Sequence, residues 1–102
     1  MNPIEQGYFI QIKEISDEFI STHKDNKDIA SALYATYLVE KMFLEKPLEN
    51  SCYEDKTIFQ ASLSLKLYRI VRDVETKIIE IFGDGSLAEK LLGEIFTIVD
   101  FD

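Results

Sequence analysis

Cysteine, histidine and tryptophan are scarce in this chain of 102 residues, which holds one cysteine, one histidine and no tryptophan. A single cysteine, Cys52, cannot form an internal disulfide, which is typical of a protein from a reducing compartment. Metal sites in helical bundles typically use Glu-x-x-His pairs on facing helices, and the sequence contains no such pair. We therefore expect neither a metal nor a cofactor.

No arrangement typical of catalysis is present either. His23 lies in a polar stretch, and no nucleophile or carboxylate is spaced to work with it. Cys52 has no basic neighbour in sequence that would activate its thiol. The turn at 83–86 is similar to a phosphate-binding loop, but it lacks the preceding strand and the lysine, and Asp84 would repel an anion. The sequence predicts that the protein is not an enzyme.

Positive charge is also scarce, because 11 lysines and arginines face 19 acidic residues and the net charge is −8. Nucleic acids and anionic membranes are therefore unfavourable partners, whereas a basic protein would be attracted. The acidity has a simpler interpretation as well, since net charge keeps proteins soluble. The chain begins without a secretion signal and has no apolar run of about 20 residues, so we expect a cytoplasmic protein.

Apolar residues, 46% of the chain, recur mostly at helical spacing. Asn2, Pro3 and Glu5 are typical of a helix start, whereas Pro47 and Gly83 are typical of helix ends. Apolar stripes follow on the first helix (Ile4, Tyr8, Ile12, Ile15 and Phe19), on the third (Phe59, Leu63, Leu67, Ile70, Val74, Ile78 and Ile81) and on the fourth (Ala88, Leu91, Leu92, Ile95, Ile98 and Val99).

These patterns predict one all-α domain over residues 1–102. A helix that is apolar nearly all round, such as the second, needs burial on most sides. Short connections between helices favour antiparallel neighbours. The predicted fold is an antiparallel bundle of about four helices, at approximately 3–22, 26–45, 55–82 and 86–100.

The third helix carries a second row of residues roughly opposite its apolar stripe. Its members recur with a period of seven residues, a spacing typical of helices that pair with another helix. The row either contacts the second helix or forms an exposed patch for self-association or a partner. The predicted self-association residues are Ile58, Leu65, Tyr68, Arg72 and Ile79, with Ala61 in the same row.

Two further groups of residues resemble binding hot spots, in which apolar anchors have a charged rim. On the first helix, Ile10 lies about 160° from the apolar stripe and is close to acidic residues. On the fourth helix, Phe96 lies to one side of the stripe, in a row with Glu89 and Asp100. Isolated exposed apolar residues are also common and require no function. The predicted partner-binding residues are Ile10, Glu14, Asp17, Glu89, Phe96 and Asp100.

The hypothesis that best fits these features is an acidic protein-binding module that occludes a basic site on a nucleic-acid-acting enzyme. An immunity protein or antitoxin that neutralises a nuclease toxin is the example of this class that we expect. The alternative is a small structural or regulatory homodimer that pairs through the long third helix. An enzyme with a site built from ordinary residues is a third interpretation.

Overall fold

A computed structural model describes residues 3–46, 48 and 56–98 of the chain. Within these residues the structure contains helices and no strand, which confirms the predicted all-α class. Asn2, Pro47, Cys52 and Asp55 lie outside the described residues, as does the segment 99–102. The helices are α1 (Pro3–Thr22), α2 (Ile29–Glu45), α3 (Lys56–Phe82) and α4 (Leu87–Phe96).

α2 begins at Ile29, so the predicted start near residue 26 is wrong. The side-chain oxygen of Asn26 accepts a hydrogen bond from the amide of Asp28 at 2.8 Å, which folds these residues into a turn. Asp28 occupies the N-cap position but makes no side-chain cap to α2. An Asx turn of this kind satisfies the backbone locally and competes with the helix for the same residues.

The end of α4 also differs from the prediction. The helix ends at Phe96, whereas the apolar stripe predicted a helix to about residue 100. The amides of Thr97 and Ile98 donate to the carbonyls of Glu94 and Ile95, three residues back. The Thr97 hydroxyl donates to the Glu94 carbonyl at 2.6 Å as well. These tighter bonds close the last turn and satisfy its carbonyls.

The four helices enclose one apolar core. α2 and α4 each pack against all three of the other helices. The inner face of α2 presents small residues, Ala32 and Ala35, which permit close approach of its neighbours. Burial removes apolar surface from water and supplies the main stabilising free energy. The residues that α3 and α4 bury in this core are Phe59, Leu63, Leu67, Ile70, Val74, Ile78, Leu87, Ala88, Leu91, Leu92 and Ile95.

Burial departs from the predicted stripes at three places. Ile4 and Ile81, at the outer ends of α1 and α3, are 54% and 53% exposed. α2 is not buried on most sides, because Leu33, Tyr37 and Leu44 are about half exposed. The four-helix arrangement covers the inner side of α2 and leaves its outer side open, although both sides are apolar.

A buried ion pair connects α1 with α3. Lys66 Nζ lies 2.9 Å from Glu5 Oε2, and both side chains are buried. The Lys66 ammonium also lies 3.9 Å from the ring centroid of Phe43 on α2. The Glu5 carboxylate also accepts from the amide of Leu48 at 3.4 Å. The predicted capping of this helix start by Asn2 falls on a residue outside the described part of the chain.

The first amides of α4 are capped by another part of the chain. Leu87 N donates to Asp28 Oδ2 at 2.5 Å, and Ala88 N donates to Ser31 Oγ at 3.2 Å. The spacing of Ser86 and Glu89 in the sequence predicts a capping box, but this is wrong in its detail, because Ser86 makes no side-chain cap. This capping by Asp28 and Ser31 fixes the position at which α4 begins. It thereby positions the exposed residues of α4 beside α3.

Candidate functional site

An open groove of about 480 Å³ runs between α3 and α4. Its floor is apolar, and Gly93 leaves space there because no atom lies within 4 Å of the position where a Cβ would stand. Its rim carries charge of both signs. The groove is lined by Tyr68, Val71, Arg72, Glu75 and Thr76 of α3 and by Glu89, Leu92, Gly93 and Phe96 of α4.

The side chains in this groove are held by contacts across it. The rings of Tyr68 and Phe96 meet edge to face, with centroids 6.2 Å apart. Arg72 Nη1 donates to the Tyr68 hydroxyl at 3.2 Å, one helical turn away. Glu89 Oε2 accepts from the amide of Gly85 at 3.1 Å, at the start of α4. The arrangement offers apolar contact and charged groups of both signs, which are typical of binding surfaces.

The groove brings together residues from two sets that the sequence kept separate. Tyr68 and Arg72 belong to the predicted self-association row of α3, whereas Glu89 and Phe96 belong to the predicted partner-binding set. The spacing within a helix cannot show which helix lies beside it, so this contact between the two sets was not predictable from the sequence. Asp100, the last member of the partner-binding set, lies outside the described residues.

The second row of α3 faces away from the core. Ile58, Leu65 and Tyr68 are about half exposed, at 53%, 47% and 46%. Ile79 is 36% exposed, and Arg72 is exposed as well. The alternative in which this row is buried against α2 is therefore wrong, because the residues that α3 buries in the core lie on its opposite side. The row forms an apolar surface with Arg72 within it.

The remaining predicted binding residues lie on the outer face of α1. Ile10 is 54% exposed, and Glu14 and Asp17 are exposed on the same side of the helix. α1 packs against α4, which carries Glu89 and Glu94. A second groove of about 340 Å³ separates the two helices, and the carboxylates of Glu18 and Glu94 line it. These two carboxylates were not among the predicted site residues.

His23 is not a free loop residue. Its ring stacks on Phe19, with centroids 4.2 Å apart, and is half-buried. Nδ1 lies 2.9 Å from the Phe19 carbonyl oxygen, and since that oxygen only accepts, Nδ1 is the donor. His23 thus caps the last turn of α1 and lines the groove between α1 and α4.

The described part of the chain contains no group of three or more His, Cys, Asp or Glu side chains placed to hold a metal ion. None of its helices is both long enough and apolar enough to cross a bilayer. Cys52 lies outside these residues.

Comparison of the chain with protein-family models, with curated proteins and with solved structures gives no match. The fold and the surfaces define a small all-α bundle with an acidic face on α1 and α4 and an apolar face on α3.

Proposed function

We propose that the protein is a binding module that recognises a basic protein through the paired outer faces of α1 and α4. The observation that carries this proposal is the packing of α1 against α4, which places four exposed carboxylates on adjoining helices. We call this surface the acidic face. It consists of Glu14, Asp17 and Glu18 of α1 and Glu94 of α4.

The carboxylates of the acidic face are free to meet a partner. None of the four forms an ion pair with another residue in the described part of the chain. Lys13 and Lys90 are the basic residues of α1 and α4, and neither is paired with these acids. Unpaired like charges create a negative potential, which accelerates association with a positive surface.

Ile10 supplies an apolar contact beside the acidic face. It is 54% exposed and lies one turn before Glu14 and two turns before Asp17 on the outer side of α1. Charged residues mainly raise the association rate, whereas desolvated apolar anchors slow dissociation. The combination supports a specific complex rather than a purely electrostatic one.

The partner class follows from the chemistry of this face. Carboxylates spaced along two adjoining helices can occupy positions that phosphate groups take on a nucleic-acid-binding surface. We therefore propose that the target is a nucleic-acid-acting enzyme, such as a nuclease toxin, and that the protein occludes its basic site. This role would be that of a cytoplasmic immunity protein or antitoxin, which needs no catalytic residue of its own.

The test compares two variants with the same change in net charge. In the first, the acidic face is neutralised by Glu14→Gln, Asp17→Asn, Glu18→Gln and Glu94→Gln. In the control, four exposed or partly exposed acids elsewhere are neutralised by Glu40→Gln, Glu45→Gln, Asp73→Asn and Glu80→Gln. A basic protein captured from lysate at low salt is then purified, and its Kd is measured for each variant.

We expect the acidic-face variant to bind at least about tenfold more weakly, with a shallower dependence on salt, while the control stays near wild type. Inhibition of nuclease activity by the wild-type protein would identify the target class. If both variants weaken binding equally, only net charge matters and the acidic face is not the site. If no basic protein is captured at low salt, the proposal loses its basis.

A further inference from the structure

The outer row of α3 has the spacing of a coiled-coil seam. Starting at Ile58, its members follow one another at alternating intervals of three and four residues over the length of the helix. This is the repeat that places one side of a helix continuously against a partner helix. All eight members are exposed, and we call them the seam residues: Ile58, Ala61, Leu65, Tyr68, Arg72, Glu75, Ile79 and Phe82.

The two charged seam residues indicate which partner fits. Arg72 and Glu75 are consecutive members of the seam and carry opposite charges. In a parallel, in-register pair of two α3 helices, Arg72 would face Arg72 and Glu75 would face Glu75. Like charges placed opposite one another at an interface oppose association. In an antiparallel pair, Arg72 of each copy can instead face Glu75 of the other copy, which replaces both repulsive contacts with attractive ones.

We propose that two copies of this chain pair through α3, antiparallel, about a two-fold axis between residues 73 and 74. In this register Arg72 faces Glu75 of the second copy, and the same contact occurs again by symmetry. Tyr68 then faces Ile79, and Leu65 faces Phe82. Each contact is self-complementary, as an isologous interface requires. The overlap from 65 to 82 is about 26 Å long at a rise of about 1.5 Å per residue.

Other antiparallel registers are less favourable. A shift of one heptad sets Leu65 against Glu75 and Arg72 against Tyr68 of the second copy. A carboxylate would then lie against an apolar side chain without a cation, which is costly when the interface excludes water. The positions of Arg72 and Glu75 therefore select one orientation and one register, as charged seam residues commonly do.

The rest of the molecule is compatible with this pairing. Residues 57–82 contain three acidic and four basic residues, so α3 is the least acidic segment of a strongly acidic chain. Two copies can thus approach here with little repulsion. On one side of the seam, an open groove separates α3 from α4 at Gly93 and Phe96. The acidic face on α1 uses other residues, so the pairing does not depend on the proposed function.

The test reverses the charge of Arg72 or of Glu75, at the centre of the seam, and measures the effect on dimer formation. Sedimentation equilibrium is recorded for the full chain from about 1 μM to about 1 mM. We expect a dimer for the wild type. Arg72→Glu alone and Glu75→Arg alone each place like charges opposite one another, and the dimer Kd should rise at least about tenfold. An equimolar mixture of the two variants restores both ion pairs and should recover a heterodimer.

Matched controls carry the same changes in charge away from the seam. Lys77→Glu and Glu80→Arg lie on exposed positions outside the seam and should leave the dimer Kd within about twofold of wild type. A wild-type chain that stays monomeric up to about 1 mM overturns the proposal. So does a dimer that Arg72→Glu leaves intact, or a mixture that remains monomeric.

Orientation is tested by cross-linking in a Cys52→Ser background. An equimolar mixture of Leu65→Cys and Phe82→Cys chains should form a mixed disulfide on mild oxidation, because residues 65 and 82 are opposite one another in the proposed register. Each variant alone should remain reduced, since its two copies of the cysteine lie about 25 Å apart in that register. A homodisulfide of Leu65→Cys would show a parallel pair and contradict the proposal.

Discussion

Lys66 Nζ donates to Glu5 Oε2 at 2.9 Å, and this contact joins the start of α1 to the middle of α3. The ammonium lies above the ring of Phe43, so all three of the longest helices contribute to its environment. Neither partner is exposed to solvent that could replace the other. The pair therefore specifies how α1 aligns with α3, because a shift of either helix would leave a buried charge unpaired.

The first prediction concerns this pair. Lys66→Met should lower the free energy of unfolding by about 3–5 kcal/mol, because the Glu5 carboxylate stays buried without a cation. The double variant Glu5→Met with Lys66→Met removes both charges and should recover most of that loss. Urea unfolding of the single and double variants measures the coupling. Glu14→Gln, an exposed change on the same helix, is the control and should change stability by less than about 0.5 kcal/mol. A double variant as unstable as Lys66→Met would contradict this account.

The second prediction concerns the cap that α2 provides to α4. Asp28→Ala removes the acceptor of the Leu87 amide and should cost about 1–2 kcal/mol of unfolding free energy, the usual magnitude of a lost N-cap. Asp28→Asn keeps an acceptor oxygen and should cost less. Asp25→Ala changes an exposed acid in the same loop and serves as the control. Hydrogen exchange at the Leu87 and Ala88 amides should accelerate in Asp28→Ala and stay slow in the control.

The third prediction uses two glycines in different backbone conformations. Gly83 has a φ of 84°, so Gly83→Ala should lower the free energy of unfolding by about 1–2 kcal/mol. Gly7 lies inside α1, and nothing is within 4 Å of the position of an added Cβ. Gly7→Ala should raise stability by up to about 1 kcal/mol through helix propensity. Thermal unfolding distinguishes the two, and changes of the same sign would count against the described backbone.

The fourth prediction compares two leucines with opposite burial. Leu63 is 1% exposed, whereas Leu33 on the outer side of α2 is 51% exposed. Leu63→Ala should cost about 2–5 kcal/mol because it leaves a cavity in the core. Leu33→Ala should cost less than about 1 kcal/mol. Guanidinium unfolding of both variants checks the difference. Equal losses would mean that the outer face of α2 is covered in solution.

The candidate site was only partly predictable. Six of the eight seam residues, all but Glu75 and Phe82, were predicted as a second face of α3 from their spacing, because they share one helix. The meeting of Tyr68 with Phe96 depends on where α4 lies, and Glu18 and Glu94 form one acidic groove only because α1 and α4 are neighbours. A contact between helices depends on their relative positions, which periodicity within one helix does not contain.

The sequence by itself determined the helices, because period, proline, glycine and acidic residues act within a few positions of one another. α1 matches its predicted limits from Pro3 to Thr22, and Gly83 follows the end of α3 as predicted. Tertiary structure alone decided that Glu5 pairs with Lys66 and that Asp28 caps α4. It also decided which of the two apolar sides of α2 is buried. Hydrophobicity shows only that a side chain favours burial, and the neighbouring helices decide whether it is covered.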